Sequence, residues 1–324
     1  MSKSSCRRCL VGILFACNVF VPSIGAQNRQ PDARNALRIG LLTSVTSNPE
    51  AASTERGVRL GADEAKQTAN LFGSDVQLYE ASAGNDPVTS ATRLLSQRQV
   101  QVLIASSAAN AAALSELAER RHVLFLDVAS RALPLRIACR RYSFYVEASE
   151  AMYANAGRLA RQRMVYRGTA AGRESGVLDS VSLWEPTLER YGASQINQRY
   201  RARYHIGMDG HAWAGWFAVK VASESALRSK STSAPTLLTY LESPATSFDG
   251  HKGWPLSFRI ADHQLRQPLY LVTRGGRSGE RKVQDVPELR DASSQGGSSE
   301  PARLNRALDR LIAAPTTPHC QWKH

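Results

Sequence analysis

Short apolar runs alternate with amphipathic stretches from Leu37 onward. "LRIGLLTSV" is a continuous apolar run of strand length, and Thr46, Ser47, Asn48 and Pro49 behind it are turn and cap residues. Val58, Gly61, Ala65, Ala69 and Phe72 then recur at three- and four-residue steps, with Arg59, Asp63, Glu64 and Lys66 on the other side. That spacing predicts an amphipathic helix, ended by Gly73. "DVQLYEASAG" alternates like a strand, and Asp86 caps a helix that has Pro87 at its first position and Ala91, Leu94 and Leu95 on its inner face. A third strand, "VQVLIAS", precedes a helix from about Ala108 to Arg121, and "VLFLDV" is a fourth strand. Three strands each feeding a helix and another strand form a βαβαβαβ run, which right-handed crossovers turn into a parallel sheet covered on both faces. "VLIA" and "VLFL", apolar at every position, suit strands buried on both sides. "YSFYVEA" adds a fifth strand-like run, leading to a helix from about Glu150 to Arg163.

The regularity then fails. "VYRGTAAGRESGVLDSVSLWEP" holds several glycines and at most one or two weak strands. Helical periodicity returns with Ile196, Tyr200 and Tyr204, continues with Trp213, Phe217 and Val221, and ends in the short "APTLLTYLES". "WPLSFRI" and "QPLYLVTR" read as two strands joined by the turn Ala261 to Gln264. "DASSQGGSSEP" reads as a flexible linker before the amphipathic "PARLNRALDRLIAA". The fold class predicted is α/β, a three-layer doubly wound parallel sheet with a reduced second part. Its boundaries are 27–148 for the sheet unit, 149–192 for the reduced one, 193–243 for helices returning to the sheet, 244–290 for the strand pair and 291–324 for linker, helix and tail.

Residues 1–26 stand outside that pattern. Lys3, Arg7 and Arg8 precede an apolar run from Cys9 to Val21, closed by Pro22 and a small-residue stretch to Ala26, as in a secretory signal peptide. Lipidation at Cys17 behind "LFAC" is the alternative processing. The run is shorter than the roughly 20 residues of a spanning helix, so an exported chain without stable membrane insertion is expected. Cleavage would lower the formal charge from +13 to +10. The arginines are scattered rather than gathered into a basic run, which argues for solvated faces and against nucleic acid. Of five cysteines the mature chain keeps Cys139 and Cys320, an even pair that reads as one disulfide in an oxidising compartment, the alternative being two buried thiols.

Chemistry concentrates where the third helix begins. Ser106 and Ser107 stand at the carboxyl end of the third strand and the amino end of that helix. In an open parallel sheet ligands bind at this edge, because loops converge there and helix amino termini offer unpaired N–H groups that suit a carboxylate. Thr46, Ser47 and Asn48 after the first strand, Gly84 to Asp86 after the second and Asp127 after the fourth share the edge. Each of these types is also a favoured cap or turn residue whatever the function, and for any one of them capping is the commoner role.

The stretch from Leu37 to about Arg163 resembles the first lobe of type I periplasmic binding proteins, the branched-chain amino-acid-binding group that serves ABC importers. In that family a serine or threonine pair at the start of the third helix holds the ligand carboxylate. The resemblance therefore assigns this role to Ser106 and Ser107, with Ala108 and Asn110 beside them, while the strand-edge rule adds Asp127, Thr46, Ser47 and Asp86 as the polar residues that would outline the pocket. "FDGHKGWPLSFRIADHQLRQPLYLV", Phe248 to Val272, is similar to the subfamily associated with pyrroloquinoline-quinone-dependent alcohol oxidation, which shares a "KG…LSFR…QLRQP" run and cysteines near the positions of Cys139 and Cys320. The second lobe of such proteins normally contains several βα units, which are nearly missing between residues 164 and 192.

Enzyme motifs do not compete. The first strand is followed by "LLTSVTSN" rather than a glycine-rich dinucleotide turn, and the chain has no phosphate-loop lysine motif, nucleophile elbow or H-E-x-x-H. "GGRSGE" follows a late strand and reads as a hairpin loop. His251, His263 and His319 lack metal-ligand spacing and read as surface histidines. Trp213, Trp216 and Phe217 form a core stripe, while Trp184 and Trp254 near turns are candidates for a contact surface. No cofactor or metal is expected. The function expected is non-covalent binding of a small polar or carboxylate ligand in the periplasm, with an ABC transporter membrane permease as partner. The alternative is an accessory protein that has lost ligand clamping and docks to a periplasmic quinoprotein dehydrogenase.

Overall fold

A computed structural model describes residues 36–45, 48–170, 177–274, 281–285, 301–312 and 320–322. The predicted leader, Thr46, Ser47, most of the linker and His319 lie outside them. Five strands, β1 (Leu37–Thr43), β2 (Val76–Ser82), β3 (Val102–Ala105), β4 (Leu124–Asp127) and β5 (Ser143–Tyr145), form one sheet in the order β2-β1-β3-β4-β5, every pair parallel. The order places α1 (Pro49–Leu71) and α2 (Pro87–Arg98) on opposite faces, followed by α3 (Ala111–Arg121) and the short α4 (Leu133–Ile137).

Alternate strand residues divide the core as the pleat requires. Leu37, Ile39 and Leu41 of β1, Val102 and Ile104 of β3, and Leu124 and Leu126 of β4 join the cluster containing α1 residues Val58 and Ala65. Leu42, Leu103, Ala105 and Phe125 join the opposite cluster, with Leu94 of α2 and Leu114 and Leu117 of α3. The first face is covered by α1 together with α7 (Gly210–Ser229), the stripe of Trp213, Trp216 and Phe217 buried against it. The two helices cross with backbones almost touching: a Cβ on Gly57 would lie 1.9 Å from the carbonyl oxygen of Ala212, and one on Gly215 would lie 2.4 Å from that of Thr54.

The chain leaves the sheet through α5 (Glu150–Ala170), which runs past the predicted end at Arg163, and enters β6 (Val177–Ser182). It returns through α6 (Ala193–Tyr204), α7 and α8 (Ala234–Glu242). The two runs read as a strand pair do not pair with each other. β8 (Pro255–Phe258) lies antiparallel between β7 (Phe248–Asp249) and β9 (Leu265–Arg266), whereas β10 (Tyr270–Arg274) lies between β6 and β11 (Arg281–Asp285) in a separate antiparallel sheet. The turn Ala261 to Gln264 closes the tight β8–β9 hairpin, which is too short to bring β10 alongside. Residues 275–280 lie outside the described residues, between the paired Arg274 and Arg281. The last helix, α9 (Pro301–Ile312), buries Leu308 and Leu311. Cys139 and Cys320 form a disulfide.

Three histidine and tryptophan expectations change. His263 is fully buried, its ring stacked 4.1 Å from Phe144 and 4.5 Å from Trp322. Trp184 and Trp254 are buried too, and the Trp184 indole donates to Asn197 Oδ1 at 2.8 Å. Periodicity missed His263 because Phe144 and Trp322, which stack on it, are distant in sequence. Among the described residues no helix is long and apolar enough to cross a membrane, and no group of His, Cys, Asp and Glu is arranged to hold a metal ion.

Candidate functional site

The carboxyl ends of β1, β3, β4 and β5 line up along one edge of the parallel sheet, so the residues just beyond them converge. At β3, Ser106 is buried and its hydroxyl is engaged: it donates to Glu55 Oε1 at 2.9 Å and accepts from the Ser44 N–H at 2.9 Å. The Ser44 N–H also reaches Glu55 Oε1 at 3.1 Å. Ser107 caps the single 3-10 turn Ala108–Asn110, accepting from the Ala109 N–H at 3.4 Å. Ala108 is exposed and Asn110 half-buried. Asp86, after β2, accepts from the N–H groups of Val88 and Thr89 and from the Thr89 hydroxyl, and those bonds lower its pKa.

Asp127, at the end of β4, is buried in a different role. Its Oδ1 accepts from the N–H groups of Ala129 and Ser130 at 3.1 and 2.9 Å, holding the turn into α4. Burial raises its carboxyl to about 6 against the pull of Arg136 and those N–H groups, and Oδ2 has no hydrogen-bond partner. Arg136, itself buried, donates to Gln264 Oε1 and to the carbonyls of Ser130, Ala132 and Glu147. The fourth strand's acid therefore belongs to a buried network beneath the edge.

Beyond β5 the edge opens into a cavity of about 320 Å³. One wall is Glu147, just after β5, with Arg131 from the turn after β4 and Tyr153 from α5. Glu147 is 1% exposed; it accepts from the Tyr153 hydroxyl at 2.7 Å and lies 3.4 Å from Arg131 Nε. The Arg131 guanidinium rests over the Tyr153 ring at 4.2 Å. Burial raises the Glu147 pKa, with Arg131 and the Tyr153 bond opposing it, and burial followed by Glu147 raises Tyr153 well above its usual range. The facing wall is the end of β6 and the turn through Trp184, Glu185 and Pro186, and the floor is Asp209 to His211 at the start of α7. Asp209 caps α7 through the Ala212 N–H at 2.9 Å and accepts from Ser53 of α1 at 2.6 Å, tying floor to sheet. A buried glutamate clamped by an arginine and a tyrosine supplies both charge signs and a hydroxyl to a small polar guest.

The strand-edge rule points to the mouth of the third helix, whereas the cavity lies at the β5 end of the same edge. Glu147 lies two residues beyond Tyr145, the β5 residue that pairs with Asp127 of β4. Arg131 and Tyr153 give no signal of their own in the sequence. Asp209 is legible as a helix cap before "GHAWAGWF".

A family model described as periplasmic binding protein matches residues 36–175. No curated protein matches the chain. Among solved structures, the branched-chain amino acid transporter substrate-binding protein LivJ from Streptococcus pneumoniae, in complex with isoleucine, is 13% identical with a TM-score of 0.59, over 78% of this chain and 99% of that one. A periplasmic binding protein from Burkholderia mallei is 10% identical with a TM-score of 0.65, over 90% and 100% of the two chains. A solute-binding protein of an ABC transporter from R. palustris, in complex with benzoate, is 14% identical with a TM-score of 0.61, over 78% and 96%. The parallel five-stranded unit, its flanking helices and these likenesses together give the chain the α/β fold of type I periplasmic binding proteins.

Proposed function

We propose that the chain is the solute-binding component of an ABC-type importer, exported to the periplasm, and that it holds one small polar molecule non-covalently in the cavity beside Glu147. One observation carries this reading: a cavity of about 320 Å³, at the ligand-binding edge of the sheet, is walled by the buried Glu147–Tyr153–Arg131 cluster on one side and by the Trp184 turn on the other. Among the described residues the second lobe contributes α5 and the β6-β10-β11 sheet, which we read as a reduced clamp. The Phe248–Val272 run adds the narrower proposal of a link to alcohol oxidation by a quinoprotein dehydrogenase. Isothermal calorimetry against small alcohols, amines, amino acids and quinone-related compounds tests the reading. Saturable binding is expected, weakened about tenfold or more by Arg131→Ala and by Tyr153→Phe. A Ser106→Ala, Ser107→Ala double variant asks whether the third-helix mouth contributes. Absence of any saturable solute overturns the reading. The engagement of Ser106 by Glu55 favours a second one, an accessory protein that docks to the dehydrogenase, for which copurification of that partner without solute binding is the expected result.

A further inference from the structure

We propose that Glu55 is a built-in carboxylate filling an anion-binding position between the ends of β1 and β3, so that an acid arriving there finds its donors already taken. The inference rests on the solute-binding reading for its specificity and on geometry for its site. The Ser44 N–H and the Ser106 hydroxyl lie at the carboxyl ends of two adjacent parallel strands, where an open α/β sheet presents donors to anions. Both point at Glu55 Oε1, at 3.1 and 2.9 Å. The carboxylate comes from the second turn of α1, a helix held rigidly by its backbone-close crossing with α7, and its side chain is 14% exposed. Arg59, the cation nearest to it at 3.5 Å, is committed to Glu80 through contacts of 2.8 and 2.6 Å and adds little at this position.

Two consequences follow. The donors that would orient an incoming carboxylate are already spent, so an acid gains no hydrogen bond there. It also meets the charge of Glu55 itself, whose Oε1 stands 2.9 Å from the Ser106 hydroxyl. A neutral or amine-bearing solute meets neither obstacle.

Chemical rescue tests the site without needing the natural solute. Glu55→Ala removes the carboxylate and is expected to lower Tm. Acetate and formate should then raise the Tm of the variant saturably, as a ligand that binds only the folded state does, while acetamide at equal concentration does not and the wild type responds to none of them. An equal response of wild type and variant to acetate, or equal rescue by acetamide, overturns the proposal. Should the alanine variant fail to fold, Glu55→Ser vacates the same position with a polar side chain. Calorimetric titration of the serine variant with acetate and formate should then give affinities about tenfold or more above the wild type. Wild-type protein that binds those acids as tightly as the variant overturns the proposal too. Rescue by acetate in a protein that binds no other solute supports the Glu55 assignment and sinks the solute-binding reading, so the two fail separately.

Discussion

Substituting Gly57 by alanine sets two effects against each other, and the structure decides the sign. In the interior of an isolated helix the change stabilises by about 1 kcal/mol, because glycine loses more backbone freedom on folding. In α1 the added Cβ would sit 1.9 Å from the Ala212 oxygen, 2.7 Å from its carbonyl carbon and 2.9 Å from its Cα. Non-bonded heavy atoms need about 3.5 Å, so the helices must part by roughly 1.5 Å. All three clashing atoms are backbone, so no rotamer change relieves them. Overpacking costs about 1–3 kcal/mol when side chains can adjust, and more when a helix must move. A net loss of at least about 2 kcal/mol is expected, or roughly 4–8 °C in Tm. The floor of the cavity moves with α7, since Asp209 and His211 sit at its start, so solute affinity should fall as well. Gly157 in α5 is the internal control, because a Cβ there meets nothing closer than the Arg161 guanidinium at 3.4 Å. Gly157→Ala should raise stability by about 0.5–1 kcal/mol. Thermal unfolding of the two variants beside wild type is the assay. A Gly57→Ala protein as stable as Gly157→Ala would refute the claim that backbone contact sets the α1–α7 distance.

Asp127 has a folded pKa of about 6 against an ordinary 3.8, so the fold binds its proton more readily than the unfolded chain does. The stability it contributes is fully present below about 3.8 and is lost as pH rises through 6, by up to about 3 kcal/mol, and Asp127→Asn should flatten that limb in urea titrations, parallel profiles counting against it. Glu242 behaves oppositely: burial pushes it up, but Arg141 and His263 outweigh burial and hold it at about 2, below 4.5. Its contribution is present above 4.5 and lost as pH falls toward 2, so Glu242→Gln should cost about 1 kcal/mol at neutral pH and remove the slope of that acid limb. The Cys139–Cys320 bond spans 181 residues, for which loop entropy alone gives about 5 kcal/mol. Reduction, or Cys139→Ser and Cys320→Ser singly or together, should each lower stability by about 2–5 kcal/mol, and a double variant much worse than either single one would show that the thiols act independently.

The parallel sheet was legible because strands buried on both faces carry an apolar residue at every position, so "VLIA" and "VLFL" announce themselves without knowledge of their neighbours. The amphipathic α1 and the Asp86 cap were legible for the same local reason. Pairings beyond the sheet were not. Val272 and Leu256 look alike in sequence, yet one pairs with Ser180 and the other with Phe248, a choice made by a two-residue β9 that no pattern marks. His263 was misread because what buries it, Phe144 and Trp322, lies 119 residues before and 59 after it. Glu55 is the sharpest case: on a helical wheel it is one more polar residue of α1, and only the close approach of β1 and β3 gives it Ser106 as a partner.

The Phe248–Val272 run shows what a specific motif can encode. Among the described residues no sixth strand pairs beyond β5; instead the His263 carbonyl accepts from the Tyr145 N–H, and Gln264 Nε2 donates to the carbonyls of Tyr145 and Glu147. Gln267 Nε2 donates to Val146, and its Oε1 accepts from the fully buried Lys252 ammonium, which also donates to Pro268 and sits 3.8 Å from the Trp213 ring. Burial lowers the Lys252 pKa well below the usual lysine range. Arg259 pairs with Asp262, and Arg266 with Asp309 of α9. Gln264 and Gln267 of "KG…LSFR…QLRQP" thus satisfy the edge of β5 and the residues just beyond it, while Lys252, Arg259 and Arg266 hold the run itself together and tie it to α9. The contacts of the run therefore account for its polar residues structurally, and the side chains that face the cavity, Glu147, Tyr153 and Arg131, lie outside it.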